Sequence, residues 1–372
     1  MSDASSERSN MSTTRAEAPA PTDPEPGLRT HPRDLRSQVI GAVERFAVPA
    51  LLLVLVAVFS LQPATAERFP TQANIQNLLA GQAVLGIAAL AVLIPIIAGQ
   101  YDLSVGAILG ASSLLSAGLM AREGLPPPIA IGIAIAAGVL IGAINGIIVA
   151  HLEVNSLIVT TGSATVIAGF VLWYSDSQTI VGIPKSITDA IVGEWLHVPK
   201  LVYALAATAL LVYVVLQHTP YGRYLHAIGS NARASRLVGL GVPRLTVSAL
   251  MFSGGLAACA GVAQLGLQGS ASPQLGPGFT LPALSAVFLG STAIKPGKFN
   301  VLGTLFAVYL VAVIVNGLTL AGASDWVQPT FNGLALLGAV VLAALVARSR
   351  RRGPTTSRVL TGLRLKRRTR AN

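Results

Sequence analysis

Charged side chains are scarce in this sequence, at 11% of its 372 residues, whereas 52% of the residues are hydrophobic. An ordinary soluble domain carries about 25% charged residues. The 26 basic and 15 acidic side chains are too few to cover the surface of a soluble globule of this size. The composition therefore excludes a cytosolic enzyme, a secreted disulfide scaffold and a disordered chain.

Cysteine and the common catalytic motifs are also nearly absent. The single cysteine, Cys259, excludes a disulfide within the chain and a metal site built from several cysteines. The string closest to a P-loop, at 296–299, lacks the hydroxyl residue and the upstream glycine of that motif. Neither an H-E-x-x-H nor a G-x-S-x-G motif occurs. We therefore expect no catalytic residue, metal or cofactor, and the simplest remaining task is to move a solute through a membrane.

Stretches without charged residues mark the predicted membrane spans. A spanning helix needs about 20 apolar residues, and a charge at its centre costs about 2.5–3.5 kcal/mol. Nine long stretches lack charge: 46–66, 69–101, 103–121, 124–152, 154–175, 201–222, 245–294, 299–324 and 326–347. The stretch 245–294 is divided at 265–279, which is rich in helix-breaking Gly, Pro and Ser. The sequence predicts an all-α polytopic integral membrane protein with about ten transmembrane helices.

Basic residues predict how these spans are oriented. Segment 220–244 carries four arginines and no acid, and segment 348–372 carries ten Arg or Lys and no acid. Loops rich in Lys and Arg stay in the cytoplasm. Two spans within 245–294 place both basic segments on that side, and counting backwards places the N terminus there too. We expect a multi-pass protein of the inner cell membrane, with both termini cytoplasmic and the largest external loop at 176–199.

Neutral polar side chains within the predicted spans are the candidate cargo contacts. Few ionisable residues lie within the spans, so the chain has few of the Asp, Glu and His side chains from which a proton relay is built. Amides and hydroxyls suit a neutral, hydroxyl-rich cargo, although each could equally form a hydrogen bond between helices. The predicted cargo path consists of Asp102, Asn145, Thr160, Thr161 and Asn316. For Asp102 two interpretations stay open: the N-cap of a helix beginning near Leu103, or a hydrogen-bond acceptor on the path.

Small residues recur at helical spacing in the predicted bundle. Gly138, Gly142 and Gly146 lie four residues apart on one helical face, which predicts close approach of a neighbouring helix. The dipeptide at 145–146 recurs at 316–317, and a further glycine follows each copy at the same interval. This echo is compatible with an inverted repeat, an arrangement common in transporters.

Three stretches together resemble one known family. They are AGQYDLSVG at 98–106, AING at 143–146 with LIVTTG at 157–162, and YGRYLHAIGSNARASRLVGLGV at 221–242. The sequence over about 45–347 resembles permease subunits of ribose-, xylose- and galactose-type ABC sugar importers, with branched-chain amino acid permeases as distant relatives. It departs from the family where Gln100 and Tyr101 replace two glycines, and where basic rather than acidic residues follow Asn231.

The resemblance implies a set of partners and a division of the chain. A second permease chain, expected as a homodimer, would complete the pore, an ATP-binding cassette subunit would hydrolyse ATP, and an extracytoplasmic sugar-binding protein would deliver the cargo. The chain itself would then not be an enzyme. We expect residues 1–45 to be a disordered cytoplasmic tail. Residues 46–347 would form the permease domain, with a cytoplasmic coupling loop at 218–244. The basic tail 348–372 suits membrane lipid rather than nucleic acid.

The loop 218–244 predicts the surface that docks on the ATPase. An ATPase on a separate chain can drive a pore only through a part that protrudes from the membrane. Asn231 suits the N-cap of a short helix, Arg233 and Arg236 share a face that could pair with acids of the partner, and Leu237 and Val238 would be exposed unless a partner covers them. The predicted coupling residues are Gly229, Asn231, Arg233, Arg236, Leu237 and Gly239. The alternative is a loop that only sets topology.

Other functions stay open at this stage. The chain could be a permease for amino acids or another small polar solute in the same type of machine. It could also be an autonomous secondary transporter or channel, or a membrane-embedded enzyme.

Overall fold

The computed structural model describes residues 35–324 and 326–351, which are mainly helical. These residues form twelve helices, of which α1 to α6 are Leu35–Leu61, Gln72–Ile97, Val105–Ala121, Pro127–His151, Ser156–Ser175 and Lys185–Val192. Helices α7 to α12 are Lys200–His218, Pro220–Leu237, Val242–Gln268, Pro277–Gly290, Val301–Leu320 and Val327–Arg351. Between α6 and α7, strands β1 (Glu194–Trp195) and β2 (Val198–Pro199) pair in antiparallel fashion.

The apolar helices fit the membrane class that the composition predicts. Within the described residues, α2, α4, α5, α7, α9 and α11 are each long and apolar enough to cross a membrane. Helices α3 and α10 and the part of α1 from Arg45 to Leu61 are apolar but shorter. The chain is an all-α polytopic membrane protein.

Local sequence signals explain several helix ends. The side chain of Asn155 accepts a hydrogen bond from the backbone N–H of Leu157 at 2.8 Å, and that of Asn300 accepts one from Gly303 at 2.7 Å. Each satisfies a donor that the first turn leaves free. Helix α9 ends at Gly269 with φ of 69°, a left-handed conformation that favours glycine. The break predicted at 265–279 is confirmed, since α9 ends and α10 begins within it.

Helices α2 and α9 form the centre of the bundle. Between 83 and 97 nearly every side chain of α2 is buried, and α9 packs against α2, α3 and α4. The contact between α4 and α9 uses the predicted row of glycines. A Cβ atom at Gly138 would lie 2.6 Å from the carbonyl oxygen of Gly254, and one at Gly142 would overlap the carbonyl of Leu250. The prediction of close helix approach is confirmed.

Helices extend into segments that the sequence assigned to the two tails and to the largest external loop. Helix α1 begins at Leu35, inside the predicted tail 1–45, and α12 continues to Arg351, inside the predicted tail 348–372. Residues 1–34 and 352–372 lie outside the described residues, so the disorder and lipid contact expected there stay predictions. The loop 176–199 contains α6 and the strand pair, and Ile180 pairs with Ala271 beyond the end of α9.

Candidate functional site

A non-helical segment between α2 and α3 carries Asp102, the acidic residue predicted on the cargo path. Its side chain is fully buried. One carboxylate oxygen accepts hydrogen bonds from the backbone N–H of Ser104 at 3.0 Å and from the Ser104 hydroxyl. The other accepts one from the Ser253 hydroxyl of α9 at 2.7 Å. Helix α3 begins at Val105, so its N-cap residue is Ser104 and not Asp102. Asp102 instead accepts the hydrogen bond from the backbone N–H of that N-cap residue.

Two more predicted cargo residues meet this segment. Asn145 of α4 donates from Nδ2 to the Ser104 hydroxyl at 3.1 Å, and Thr160 of α5 accepts the N–H of Leu103 at 3.1 Å through its hydroxyl oxygen. Asp102, Ser104, Asn145, Thr160 and Ser253 are here called the Asp102 network. The structure brings three of the five predicted cargo residues together, and their polar groups bond one another and the backbone.

The other two predicted cargo residues lie elsewhere. Thr161 is exposed on α5 and lines a shallow groove of about 370 Å³ with Pro273 and Thr280. Asn316 of α11 forms a reciprocal amide pair with Asn74 of α2, with both N–O distances at 3.0 Å. Neither residue contacts the Asp102 network through a hydrogen bond in the described part of the chain.

Asn316 leads to a cleft that sequence reasoning largely missed. The cleft has a volume of about 650 Å³ and lies between α2, α9, α10, α11 and α12. Its polar lining consists of Asn77, Gln82, Gln264, Gln268, Asn316, Thr319, Gln328 and Asn332. No charged residue of the described chain lines it. We call it the amide cleft, and among its residues only Asn316 was in the predicted path.

The predicted coupling loop is mostly helical. Helix α8 starts at Pro220, earlier than the short central helix predicted, and is interrupted at Asn231, whose φ of −160° and ψ of 93° are not helical. The Asn231 side chain accepts the N–H of Ala234 at 2.9 Å, as predicted for an N-cap. Gly239, with φ of 84°, follows the end of α8. The local structure of the central helix is therefore confirmed.

The exposed face of α8 carries the predicted apolar and basic residues. Leu237 is 86% exposed and Val238 is 77% exposed, so both are uncovered in the isolated chain. Arg236 forms an ion pair with Glu153 at 3.1 Å, between Nη1 and Oε1. Arg233 is exposed and forms no ion pair within the described residues. Both arginines were predicted to be available for acids of a partner. In the structure Arg236 is already paired with an acid of the same chain, and Arg233 is the arginine that stays available.

Helix α8 also contacts the end of α2, close to the Asp102 network. A Cβ atom at Gly229 would overlap the carbonyl oxygen of Ile97, and one at Gly99 would lie 3.3 Å from the Cα atom of Gly229. Asp102 follows Gly99 after two residues. The α8 surface and the Asp102 network are thus joined by one short stretch of backbone.

The charged side chains of α8 are all basic. Partial burial of His226 lowers its pKa below the usual range, and the nearby Lys298 and Lys295 lower it further. His226 is therefore neutral at neutral pH. The positive charge of this face comes from arginine and lysine, not from histidine.

Comparison with known proteins gives one family over most of the chain. A family model described as "Branched-chain amino acid transport system / permease component" matches residues 74–345. A ribose import permease protein of Bacillus subtilis (strain 168) is 33% identical over 294 residues, covering 78% of this chain and 90% of that protein. A fructose import permease protein of Rhizobium meliloti is 30% identical over 304 residues, 80% of this chain and 84% of that protein.

A third relative is named for another cargo, and no solved structure matches this chain. It is an autoinducer 2 import system permease protein of Yersinia enterocolitica, 32% identical over 263 residues, which cover 69% of this chain and 79% of that protein. The resemblance noted from three sequence stretches is confirmed. The matched region includes all the helices from α3 to α11, together with the amide cleft, the Asp102 network and α8, and the chain belongs to this family of transport-system permease components.

Proposed function

We propose that this chain is the membrane-spanning permease subunit of an ATP-driven ABC importer and that its cargo is a monosaccharide or a related polyol. The observation that carries the choice of cargo is the amide cleft, whose polar lining among the described residues is made of carboxamides and a hydroxyl, without a charged side chain. Carboxamides both donate and accept hydrogen bonds, as sugar hydroxyls do. A zwitterionic amino acid, the main alternative cargo, would need charged partners to offset its desolvation. The cargoes for which two relatives are named, ribose and fructose, agree with this choice.

The partners follow from the type of machine. We infer an ATP-binding cassette subunit and an extracytoplasmic binding protein, with a second copy of this chain completing the pore and membrane lipid around it. Relatives are named as import permeases, which supports the first two partners. The homodimer is the simplest arrangement for a chain that provides one bundle of helices.

The ten-span topology is also a proposal. It assigns α1, α2, α3, α4, α5, α7, α9, α10, α11 and α12 to the membrane and leaves α6 and α8 outside it. The basic residues of α8 and of the C-terminal tail support a cytoplasmic location for both. Reporter fusions after Ile183 and after Arg352 should lie on opposite sides of the membrane, and a shared side would overturn the count.

Two clusters have distinct proposed roles. The exposed residues of α8, including Leu237 and Arg233, form the docking surface for the ATPase. The Asp102 network holds the connection between α2 and α3. The start of that connection, at Ile97 and Gly99, contacts Gly229 of α8, so the network is the part of the cargo path that would respond to the ATPase. Asp102, Asn145 and Thr160 would then act by positioning backbone, while Asn316 faces the cargo.

The deciding experiment is purification of the tagged chain from its own membranes in mild detergent, followed by transport in liposomes. We expect an ATP-binding cassette protein to copurify, and uptake of ribose or fructose to require ATP and the binding protein. A chain that purifies alone and transports without ATP would be an autonomous transporter. Uptake of leucine with neither sugar would instead support the amino-acid alternative.

A further inference from the structure

We propose that the amide cleft is a binding site for one cargo molecule and that Gln264 is the residue that recognises its hydroxyl groups. This inference rests on the proposed function and names the place where the permease itself holds the solute. The cleft volume of about 650 Å³ lies within the range of about 300–1,000 Å³ found for small-molecule sites.

The central observation is a side-chain amide, on a mostly buried residue, that has no partner within the described residues. Gln264 is only 6% exposed, and its side chain forms no hydrogen bond within the described residues. Its amide atoms are themselves not fully buried, because the only fully buried, unpaired side-chain polar atoms of the described residues are the hydroxyl oxygens of Ser113 and Ser116. Gln264 lines the cleft, so a ligand there can supply the missing partner.

The backbone that carries Gln264 is firmly held. Leu265 and Gly266 are buried beside it, and a Cβ atom at Gly266 would overlap the side chain of Ile191 from α6. Helix α9 as a whole packs against α2, α3 and α4. The unpaired amide is therefore presented from a rigid element, as a preformed recognition group requires.

Further amides face the same space from other helices. Gln82 of α2 and Asn332 of α12 form no side-chain hydrogen bonds within the described chain and line the cleft with Gln264. Asn316 is fixed by its pair with Asn74. Each carboxamide offers a donor and an acceptor, so hydroxyl groups can be bound in either direction.

The rest of the lining fits the other face of a sugar ring. Leu85, Leu267, Phe279 and Val311 contribute apolar surface to the cleft, which suits the C–H groups of a pyranose or furanose. The absence of charge from the described lining disfavours phosphate esters, carboxylates and amines. The class of ligand is therefore a neutral polyol, with ribose and fructose as practical probes.

The first test compares two substitutions of the same type. Gln264→Leu removes the amide from the cleft, and Gln76→Leu removes an amide of α2, on a half-buried residue, that bonds the His197 carbonyl outside the cleft. In liposomes containing the complete importer, we expect Gln264→Leu to lower uptake of the transported sugar at least tenfold. Gln76→Leu should keep the parent rate. Equal uptake by both variants would overturn the site.

A second test works even if Gln264→Leu folds poorly. Replacing Cys259 by Ala leaves no native cysteine, and Gln264→Cys then places one thiol in the cleft. We expect ribose or fructose, whichever the importer transports, to slow labelling of this thiol at least threefold. Unchanged labelling in a preparation that transports the sugar would refute the site but leave the proposed function intact. Failure of the parent importer to transport any monosaccharide or polyol would instead refute the proposed cargo.

Discussion

Replacing Gly229 by alanine should break the link between α8 and the end of α2. An ideal Cβ atom at Gly229 would overlap the carbonyl oxygen of Ile97 and lie 3.2 Å from the carbonyl carbon of Ala98. These are backbone atoms, which cannot rotate away as the end of a flexible side chain can. Overpacking of this kind costs about 1–3 kcal/mol. Because 1.4 kcal/mol is about tenfold in an equilibrium, the present contact should be disfavoured by about 5- to 150-fold.

The assay measures sugar uptake and ATP hydrolysis in the same liposome preparation of the complete importer. We expect the ratio of sugar transported to ATP hydrolysed to fall at least fivefold in Gly229→Ala, while hydrolysis continues. The matched control is Gly169→Ala, because Gly169 is also helical and a Cβ atom there would have no neighbour within 4 Å. The control should keep the parent ratio. An unchanged ratio in Gly229→Ala would refute the view that α8 acts through α2.

Three further predictions test packing, docking and the Asp102 network. Gly142→Ala should lower the melting temperature of the purified protein by several degrees, since overpacking costs about 1–3 kcal/mol. The control Gly132→Ala, in the same helix, places its methyl group in open space and should be neutral or slightly stabilising. Equal melting temperatures for the two variants would contradict the packing argument. Leu237→Asp places a charge on the exposed apolar end of α8, and the ATPase should dissociate in mild detergent; normal copurification with normal transport would show that this end does not dock. Thr160→Val leaves the N–H of Leu103 without its acceptor, at a cost of about 1–3 kcal/mol, and should reduce transport while the amount of protein in the membrane stays normal. The control Thr161→Val changes an exposed side chain and should transport normally. Full uptake by both variants would remove Thr160 from the mechanism.

The sequence predicts features that depend on neighbouring residues. The break within 265–279, the row of glycines in α4 and the cap at Asn231 each follow from a local rule, and each is found in the structure. Even the early start of α8 had a local signal, because Thr219 caps the helix and Pro220 occupies its first position.

The amide cleft could not be predicted in the same way. Its polar residues come from four helices, and Gln82 and Gln264 are separated by about half of the chain. Only the packing of α2 against α9, α10 and α11, and of α12 against α10 and α11, brings them together. A usable hint was nevertheless present, since glutamine within an otherwise apolar stretch is costly unless it has a partner. The ion pair between Glu153 and Arg236 was missed for the same reason.

The contact between α4 and α9 limits how this protein can change over generations. A side chain at Gly142 would meet the carbonyl of Leu250, and one at Gly138 would meet the carbonyl of Gly254. Substitution can shrink an opposing side chain but cannot remove a main-chain carbonyl, which every amino acid has. A larger residue in this row therefore has no compensating substitution at the residue it touches. A genetic screen starting from Gly142→Ala should return reversion to glycine, or changes that move a whole helix, rather than suppressors at Leu250.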